Sequence, residues 1–305
     1  MSVVFALVID AIFGDPARAW SRTGHPVTWF GSLIDWLDQA LNWGGSRKAK
    51  GVVAIAAAIL AFAIPVALLA GVLGILPGLL GSLAIGVVAS SLIAHKSLNE
   101  HVARVADAGT IEEARTAVSM VVGRDVSTLD EAGVSRASLE TLAESLSDGV
   151  VAPAFWLAIG GLPGLVAYKV VNTADSMIGH RTERHGAFGW AAARLDDAMN
   201  FVPARITAFL IALTAPRLFR LRERIIETAE MHVSPNAGWP EAALAYRLDV
   251  ALGGPRSYEG ERVDGVWLHP NGRTARFADI RRGIRVGNVA GAFQIVFYAL
   301  IAILF

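Results

Sequence analysis

Long uncharged apolar runs, rather than the short polar–apolar alternation of a water-soluble domain, organise this chain. Three of them, residues 52–70, 76–94 and 286–305, carry no charge and approach the roughly 20 residues a spanning helix needs. Two more are interrupted. Residues 150–171 are broken at Gly160-Gly161-Leu162-Pro163-Gly164 and carry Lys169, and residues 201–215 are short and contain Pro203 and Arg205. Between the runs, the spacing predicts amphipathic helices. One covers 110–122, with Thr110 as cap and Glu112 and Glu113 in its first turn. Another covers 135–146, with Leu139, Leu142 and Leu146 in one stripe; others cover 218–228 and 241–252. Residues 253–274 are turn-rich, with a short hairpin expected near 263–268. The predicted fold is all-α: a polytopic integral membrane protein of about three to five transmembrane helices. Its helical loops, on the cytoplasmic side, form the active site of a single domain covering 1–305.

Composition sharpens this picture. Of 305 residues, 54% are hydrophobic and only 18% charged, where soluble domains average about 25% charged. The net charge is zero, so no basic excess exists to neutralise nucleic-acid phosphates, and no nucleic-acid partner is expected. The absence of cysteine excludes disulfides, thiolate catalysis and Cys-ligated metal. The first apolar run, residues 3–13, lacks a positive flank and a small-residue cleavage site. It carries Asp10 and is followed by Gly14-Asp15-Pro16, so it reads as mature sequence.

Two topologies fit. Five spans place residues 172–199, with 3 Lys/Arg, outside, and the basic loops inside, of which residues 216–285 carry 12. Alternatively, 150–171 is a re-entrant hairpin turned at Gly160–Gly164 and 201–215 does not cross, which leaves every polar loop on one face. Such backbone is tolerated only where it is buried in protein or lines a cavity.

Several polar groupings carry chemistry. Glu140, Glu144 and Asp148 are four apart, and a helix would stack them on one face. Lys169, Asn172 and Asp175 recur at three-residue spacing. Asp196, Asp197 and Asn200, flanked by Arg194 and Arg205, place adjacent carboxylates and an amide at helical spacing. Carboxylates at a membrane boundary call for cations or metal, and oxygen-rich sets suit Mg²⁺. Arg is the bidentate partner for phosphate. His25, in Gly24-His25-Pro26-Val27, could present an imidazole, and Asn236 sits in the loop His232–Pro240. Together these residues point to Mg²⁺-dependent chemistry on a phosphorylated substrate at a membrane face, without fixing the reaction.

Taken in order, these blocks resemble the CobD/CbiB family, adenosylcobinamide-phosphate synthases of cobalamin biosynthesis. The matching segments are Asp10 to Pro16 with His25-Pro26-Val27, and Glu144-Ser145-Leu146-Ser147-Asp148-Gly149 with Pro153 and Trp156. They continue with Tyr168-Lys169 to Arg181, Phe188 to Arg205, Ser234 to Ala243, and Gly253-Gly254-Pro255 with Tyr258 and Gly260. The resemblance implies a multi-pass inner-membrane ligase. It would join adenosylcobyric acid to (R)-1-aminopropan-2-ol or its O-phosphate, using ATP and Mg²⁺, in contact with the lipid bilayer and other cobalamin-assembly enzymes. On this reading Glu144, Asp148, Asp175, Asp196 and Asp197 serve Mg²⁺ and ATP. Lys169, Arg181, Arg194 and Arg205 contact phosphates, and Asn172, Asn200 and Asn236 orient substrate. His25, His180 and Glu144 are the candidate bases for the amine proton. One departure stands out: after Pro255 the chain reads Arg256-Ser257-Tyr258, where the family often has Asn and aromatic residues.

Three rival classes make different demands. A prenyl-diphosphate or CDP-alcohol transferase would need a second matching acidic motif. A non-catalytic membrane sensor would be expected to lack the acidic residues. A transporter would need polar residues inside its spans, and the three clear runs have almost none.

Overall fold

The computed structural model describes residues 1–15, 20–123, 125–258 and 261–304. Pro16, Gly260 and Phe305, used in the sequence reading, lie outside the described residues. The chain is 74% helical, an all-α polytopic membrane protein. In order, the described helices are α1 (Ser2–Phe13), α2 (Pro26–Leu41), α3 (Arg47–Gly74), α4 (Leu79–Ser90), α5 (His95–Ala106) and α6 (Ile111–Ser119). They continue with α7 (Glu131–Leu146), α8 (Ala152–Ile178), α9 (Trp190–Leu213), α10 (Arg222–Glu230), α11 (Gly238–Leu248) and α12 (Phe277–Leu304).

Among the described residues, four helical stretches are long and apolar enough, by length and composition, to cross a membrane: Arg47–Gly74, Leu79–Ala106, Glu131–Ile178 and Phe277–Leu304. The three clear runs of the sequence fall within or against these, and 150–171 lies inside the third. Helix α9, which contains most of 201–215, is not among the four. Helix α3 shows why lipid is its solvent. Val53, Leu60, Ile64, Leu68 and Val72 are all exposed along it. At about 25 cal/mol per Å² of apolar surface, that exposure is unfavourable in water and neutral against acyl chains.

Contacts divide the chain into two compact units. The first comprises 1–94, 152–200 and 298–305. In it α1 packs on α4, and α2, α3 and α8 pack on one another. Gly86 makes the first of these contacts possible, because a Cβ there would lie 2.5 Å from that of Phe5. Helix α8 is not straight. Gly161 sits at φ 59, ψ −158 and divides it. A Cβ on Gly164 would lie 2.7 Å from the Trp156 carbonyl oxygen, whereas eight residues of straight helix span about 12 Å. The chain therefore turns sharply at Gly161, within the Gly-Pro segment singled out in the sequence.

The second unit comprises 95–151 and 201–297. Helix α6 is closed by a reciprocal cap. Thr110 Oγ1 accepts the Glu113 amide at 3.2 Å, and Glu113 Oε2 accepts the Gly109 amide at 2.9 Å. Asp130 starts α7 four residues before the expected boundary by accepting the Gly133 amide at 2.8 Å. Leu139, Leu142 and Leu146 are buried as the periodicity predicts, and they meet Gly283 and Gly287 of α12. The hairpin expected at 263–268 is displaced. Arg256–Tyr258 pairs antiparallel with Glu261–Val263, and Leu252–Gly253 with Trp267–Leu268. Gly265 packs against the Gly254 carbonyl, where a Cβ would lie 2.4 Å from the oxygen.

The Gly161 conformation is restricted to glycine. Gly161→Ala is expected to destabilise the protein by about 1–3 kcal/mol. Gly160→Ala, with nothing within 4 Å of the added methyl, is expected to be neutral or better. Thermal unfolding of the two variants in detergent measures the contrast.

Candidate functional site

The site is built in the first unit, where the end of α8 meets the start of α9. Tyr168, Lys169, Asn172 and Asp175 lie on the last turns of α8. Trp190, Arg194, Asp196, Asp197 and Asn200 lie on the first turns of α9. Tyr168 is fully buried and donates its hydroxyl to Asn200 Oδ1 at 2.9 Å. That contact turns the Asn200 amide group toward Asp196, and Asn200 Nδ2 donates to Asp196 Oδ2 at 3.0 Å. Lys169 Nζ donates to Asn172 Oδ1 at 3.3 Å, and Asn172 Nδ2 donates to Asp196 Oδ1 at 3.3 Å. Both oxygens of Asp196 are thus held by amides that are themselves fixed by donors.

Asp196 is 9% exposed. Burial pushes its carboxyl pKa up, and so does the adjacent Asp197; the hydrogen bonds from Asn200 and Asn172 and the charge of Lys169 oppose this. With a folded pKa above 3.8, ionised Asp196 costs stability as pH rises. Such a group favours a ligand that brings positive charge to it.

Beside this network lies a cleft of about 520 Å³ lined by Gly179, Arg181, Gly186, Trp190, Ala193 and Arg194. Arg194 pairs with Asp197 at 3.3 Å. Lys48 lies 3.7 Å from the centre of the Trp190 ring. Two guanidinium groups, an indole and glycine backbone suit a phosphorylated ligand with a flat or apolar body. Asp175, one turn beyond Asn172, lies over the cleft-lining Gly179, where a Cβ would sit 1.9 Å from Asp175 Oδ1. Among the described residues, no three His, Asp or Glu side chains gather to hold a metal ion. Mg²⁺ commonly uses one or two carboxylates and completes its shell with water and substrate phosphate. Asp196 and Asp197 beside this cleft fit that kind of binding.

The loop that forms the cleft wall is fixed by a residue the sequence reading passed over. Asp38 of α2 is 4% exposed. Its Oδ2 accepts from Arg184 Nε at 3.1 Å and lies 3.4 Å from His185 Nε2, while its Oδ1 accepts from Asn42 at 2.7 Å. Arg47 donates to Asn42 and to the Arg184 carbonyl. Gly51 lets α3 pass against the Phe188 carbonyl, and Gly189 lies equally close to that of Ile178. A signal for Asp38 did exist. It shares the buried stripe of Phe30, Ile34 and Leu37, and an acid on an apolar stripe needs a partner.

Other predicted residues are placed elsewhere. His25 caps α2: its Nδ1 accepts the Val27 amide at 3.2 Å, and its Nε2 lies 2.9 Å from the Ser91 carbonyl oxygen and 3.1 Å from Asp15. Both nitrogens are occupied, so the ring pins α2 in place. Glu144, Asp148, Arg205 and Asn236 belong to the second unit. Glu140 and Glu144 lie one turn apart on α7, as their spacing predicts, but in different surroundings: Glu140 is buried and accepts the Gly253 amide at 2.7 Å, whereas Glu144 is exposed. A π-helical turn at Ser147–Val151 then shifts the phase of Asp148. Arg205 donates to the Phe201 carbonyl at 2.6 Å, and its guanidinium lies 4.3 Å from the Trp239 ring centre.

The description CobD/Cbib protein matches residues 3–287. The chain belongs to the CobD/CbiB family. It is 45% identical to the cobalamin biosynthesis protein CobD of Rhodobacter capsulatus over 99% of this chain and 97% of that one. The proteins of that name from Sinorhizobium fredii and Rhizobium meliloti are 47% and 46% identical, over 91% and 93% of this chain and 88% and 91% of theirs. No solved structure matches. Family membership thus covers both units, including every residue of the Asp196 network and the Arg181–Arg194 cleft.

Asp38 gives a pH test. Burial raises its carboxyl pKa, but hydrogen bonds from Arg184, Asn42 and His185 outweigh that, so the net shift is downward from 3.8. Its stabilisation is present above 3.8 and is lost as pH falls through the lower folded value. Asp38→Asn is therefore expected to lower stability near neutral pH by about 1–3 kcal/mol. The gap from wild type should narrow in acid, as measured by melting temperature against pH.

Proposed function

We propose that this protein acts in cobalamin biosynthesis as the ligase that joins the side-chain carboxylate of adenosylcobyric acid to an amine. The amine is (R)-1-aminopropan-2-ol or its O-phosphate, and the product is adenosylcobinamide or its phosphate. The names of its relatives support the pathway. The observation that carries the reaction class is the cleft in which Arg181, Arg194 and Trp190 lie beside a buried, amide-held carboxylate.

Carboxylate and amine do not condense in water unaided; ATP with Mg²⁺ supplies an activated carboxyl with a leaving group. The protein's part is positioning and electrostatic stabilisation. Arg181 and Arg194 clamp phosphate oxygens. Trp190 offers a flat face, oriented by Lys48. Asp196 and Asp197 would hold the cation, and Asn172, Asn200, Tyr168 and Lys169 keep Asp196 in place. The family resemblance extends nucleotide, metal and substrate roles to Asp175 and, in the second unit, to Glu144, Asp148, Arg205 and Asn236. With both nitrogens of His25 engaged, the exposed His180 and Glu144 are the better candidates to take the amine proton. The protein would sit in the inner membrane with its active face toward cytoplasmic ATP.

Purified protein in detergent with Mg-ATP, adenosylcobyric acid and aminopropanol phosphate tests this reading. Mass spectrometry is expected to find the amide product, with ADP and phosphate released only when both substrates are present. Asp196→Asn is expected to lower turnover about a hundredfold or more. Arg181→Gln with Arg194→Gln should raise the KM for ATP about tenfold or more. Folded protein that binds ATP yet leaves the corrinoid unchanged would refute the ligase.

A further inference from the structure

The second unit carries a cationic pocket that no part of the proposed reaction uses. Its volume is about 360 Å³, and its lining includes Thr214, Arg247, Arg282, Arg285, Val286 and Val289. Thr214 lies just past the end of α9 and Arg247 near the end of α11, while Arg282 and Arg285 lie on the first turns of α12. Arg247 Nε donates to Thr214 Oγ1 at 2.8 Å, which holds the guanidinium in the pocket wall. Arg282 donates to Asp279 at 3.0 Å, but Arg273 already binds both oxygens of that carboxylate. Asp249 pairs with His269 and feels Arg273 and Arg217. Among the described residues, no carboxylate pairs with Arg247 or Arg285. The two nearby carboxylates, Asp279 and Asp249, are thus engaged by Arg273 and Arg282 and by His269. The excess of positive charge shows at Arg247, whose pKa is pushed down by burial and then by the charges of Arg217 and Arg282.

Like charges converging on one pocket repel one another, and a bound anion would offset that repulsion. Position narrows the choice of anion. Arg285 is the last charge of α12, and from Val286 to Leu304 the helix has none. Val286 and Val289 continue the same face into the apolar segment, so the pocket has a cationic end and an apolar end. Guanidinium forks match tetrahedral phosphate oxygens, and the Thr214 hydroxyl offers a further polar contact.

We propose that Thr214, Arg247, Arg282 and Arg285 form a second anion site, specific for a phosphate group and separate in its residues from the Arg181–Arg194 cleft. Two sources share this chemistry: an anionic phospholipid headgroup at the level where α12 becomes apolar, and a free phosphate compound.

Two arms on the full-length protein separate them. In detergent, titration with inorganic pyrophosphate is followed by calorimetry. In bilayer nanodiscs of phosphatidylcholine and phosphatidylglycerol, native mass spectrometry counts the phosphatidylglycerol retained. In one arm, Arg285→Gln and Arg247→Gln should each weaken binding about tenfold. Arg285 is exposed, so its variant is expected to fold even if Arg247→Gln does not. Arg220→Gln, at an exposed arginine outside the pocket, should leave binding intact in both arms. The Arg285→Gln loss should persist on the Arg181→Gln/Arg194→Gln background, where the cleft no longer contributes to pyrophosphate uptake. Loss confined to the pyrophosphate arm assigns a free phosphate compound, and loss confined to the nanodisc arm assigns lipid. Wild-type protein that binds neither probe overturns the site. So does Arg285→Gln binding both as wild type does, or Arg220→Gln weakening binding as much as Arg285→Gln.

Discussion

The candidate site depends on keeping one carboxylate, Asp196, ionisable while it is nearly sealed from water. A buried acid either takes up a proton or is surrounded by donors. Here the donors are the amides of Asn172 and Asn200, and each amide could face either way. Tyr168 and Lys169 remove that freedom by occupying the two amide oxygens. Four side chains on two helices thus define the orientation of a single carboxylate. The arrangement leaves Asp196 short of positive charge, and in the proposed reaction a metal–phosphate complex in the cleft lined by Arg181 and Arg194 would supply it.

The same economy of charge explains the wall of the cleft. The loop between α8 and α9 carries Arg181, Arg184 and His185, and its apolar anchor is Phe188, which is fully buried near its end. Asp38 supplies the polar anchor through a charge-assisted pair with Arg184. Gly51 and Gly189 allow backbone contacts too close for any side chain. The loop's position is therefore set by α2 and α3, which lie far from it in sequence.

In the second unit the charge balance runs the other way. Arg273 and Arg282 converge on Asp279, and Arg217 and Arg247 repel one another near the pocket. Packing there is apolar and close, with Gly283 and Gly287 seated against Leu139, Leu142 and Leu146. That contact fixes the start of α12 and carries Arg282 and Arg285 with it. Hydrophobic packing thus holds in place a set of like charges that would otherwise separate.

Local chemistry was legible in the sequence. Uncharged runs of spanning length require helices in lipid, because backbone groups there must bond within their own segment. Thr110 with Glu113 marks a cap, the leucine stripe of α7 marks a buried face, and the Gly-Pro break at 160–164 marks a turn. The pairing of Lys169-Asn172 with Asp196-Asn200 was present as two motifs, but not as one network, since hydrogen bonds between helices leave no trace in spacing. The same limit hid Asp38, whose partners Arg184 and His185 lie more than 140 residues away. It also made the Glu140–Glu144–Asp148 row look continuous, because nothing in the residue types announces a π turn. Sequence decided which segments are helical and which solvent each one faces, through periodicity and composition. Only the tertiary structure decided which polar groups meet, because that depends on distances between helices rather than positions along one.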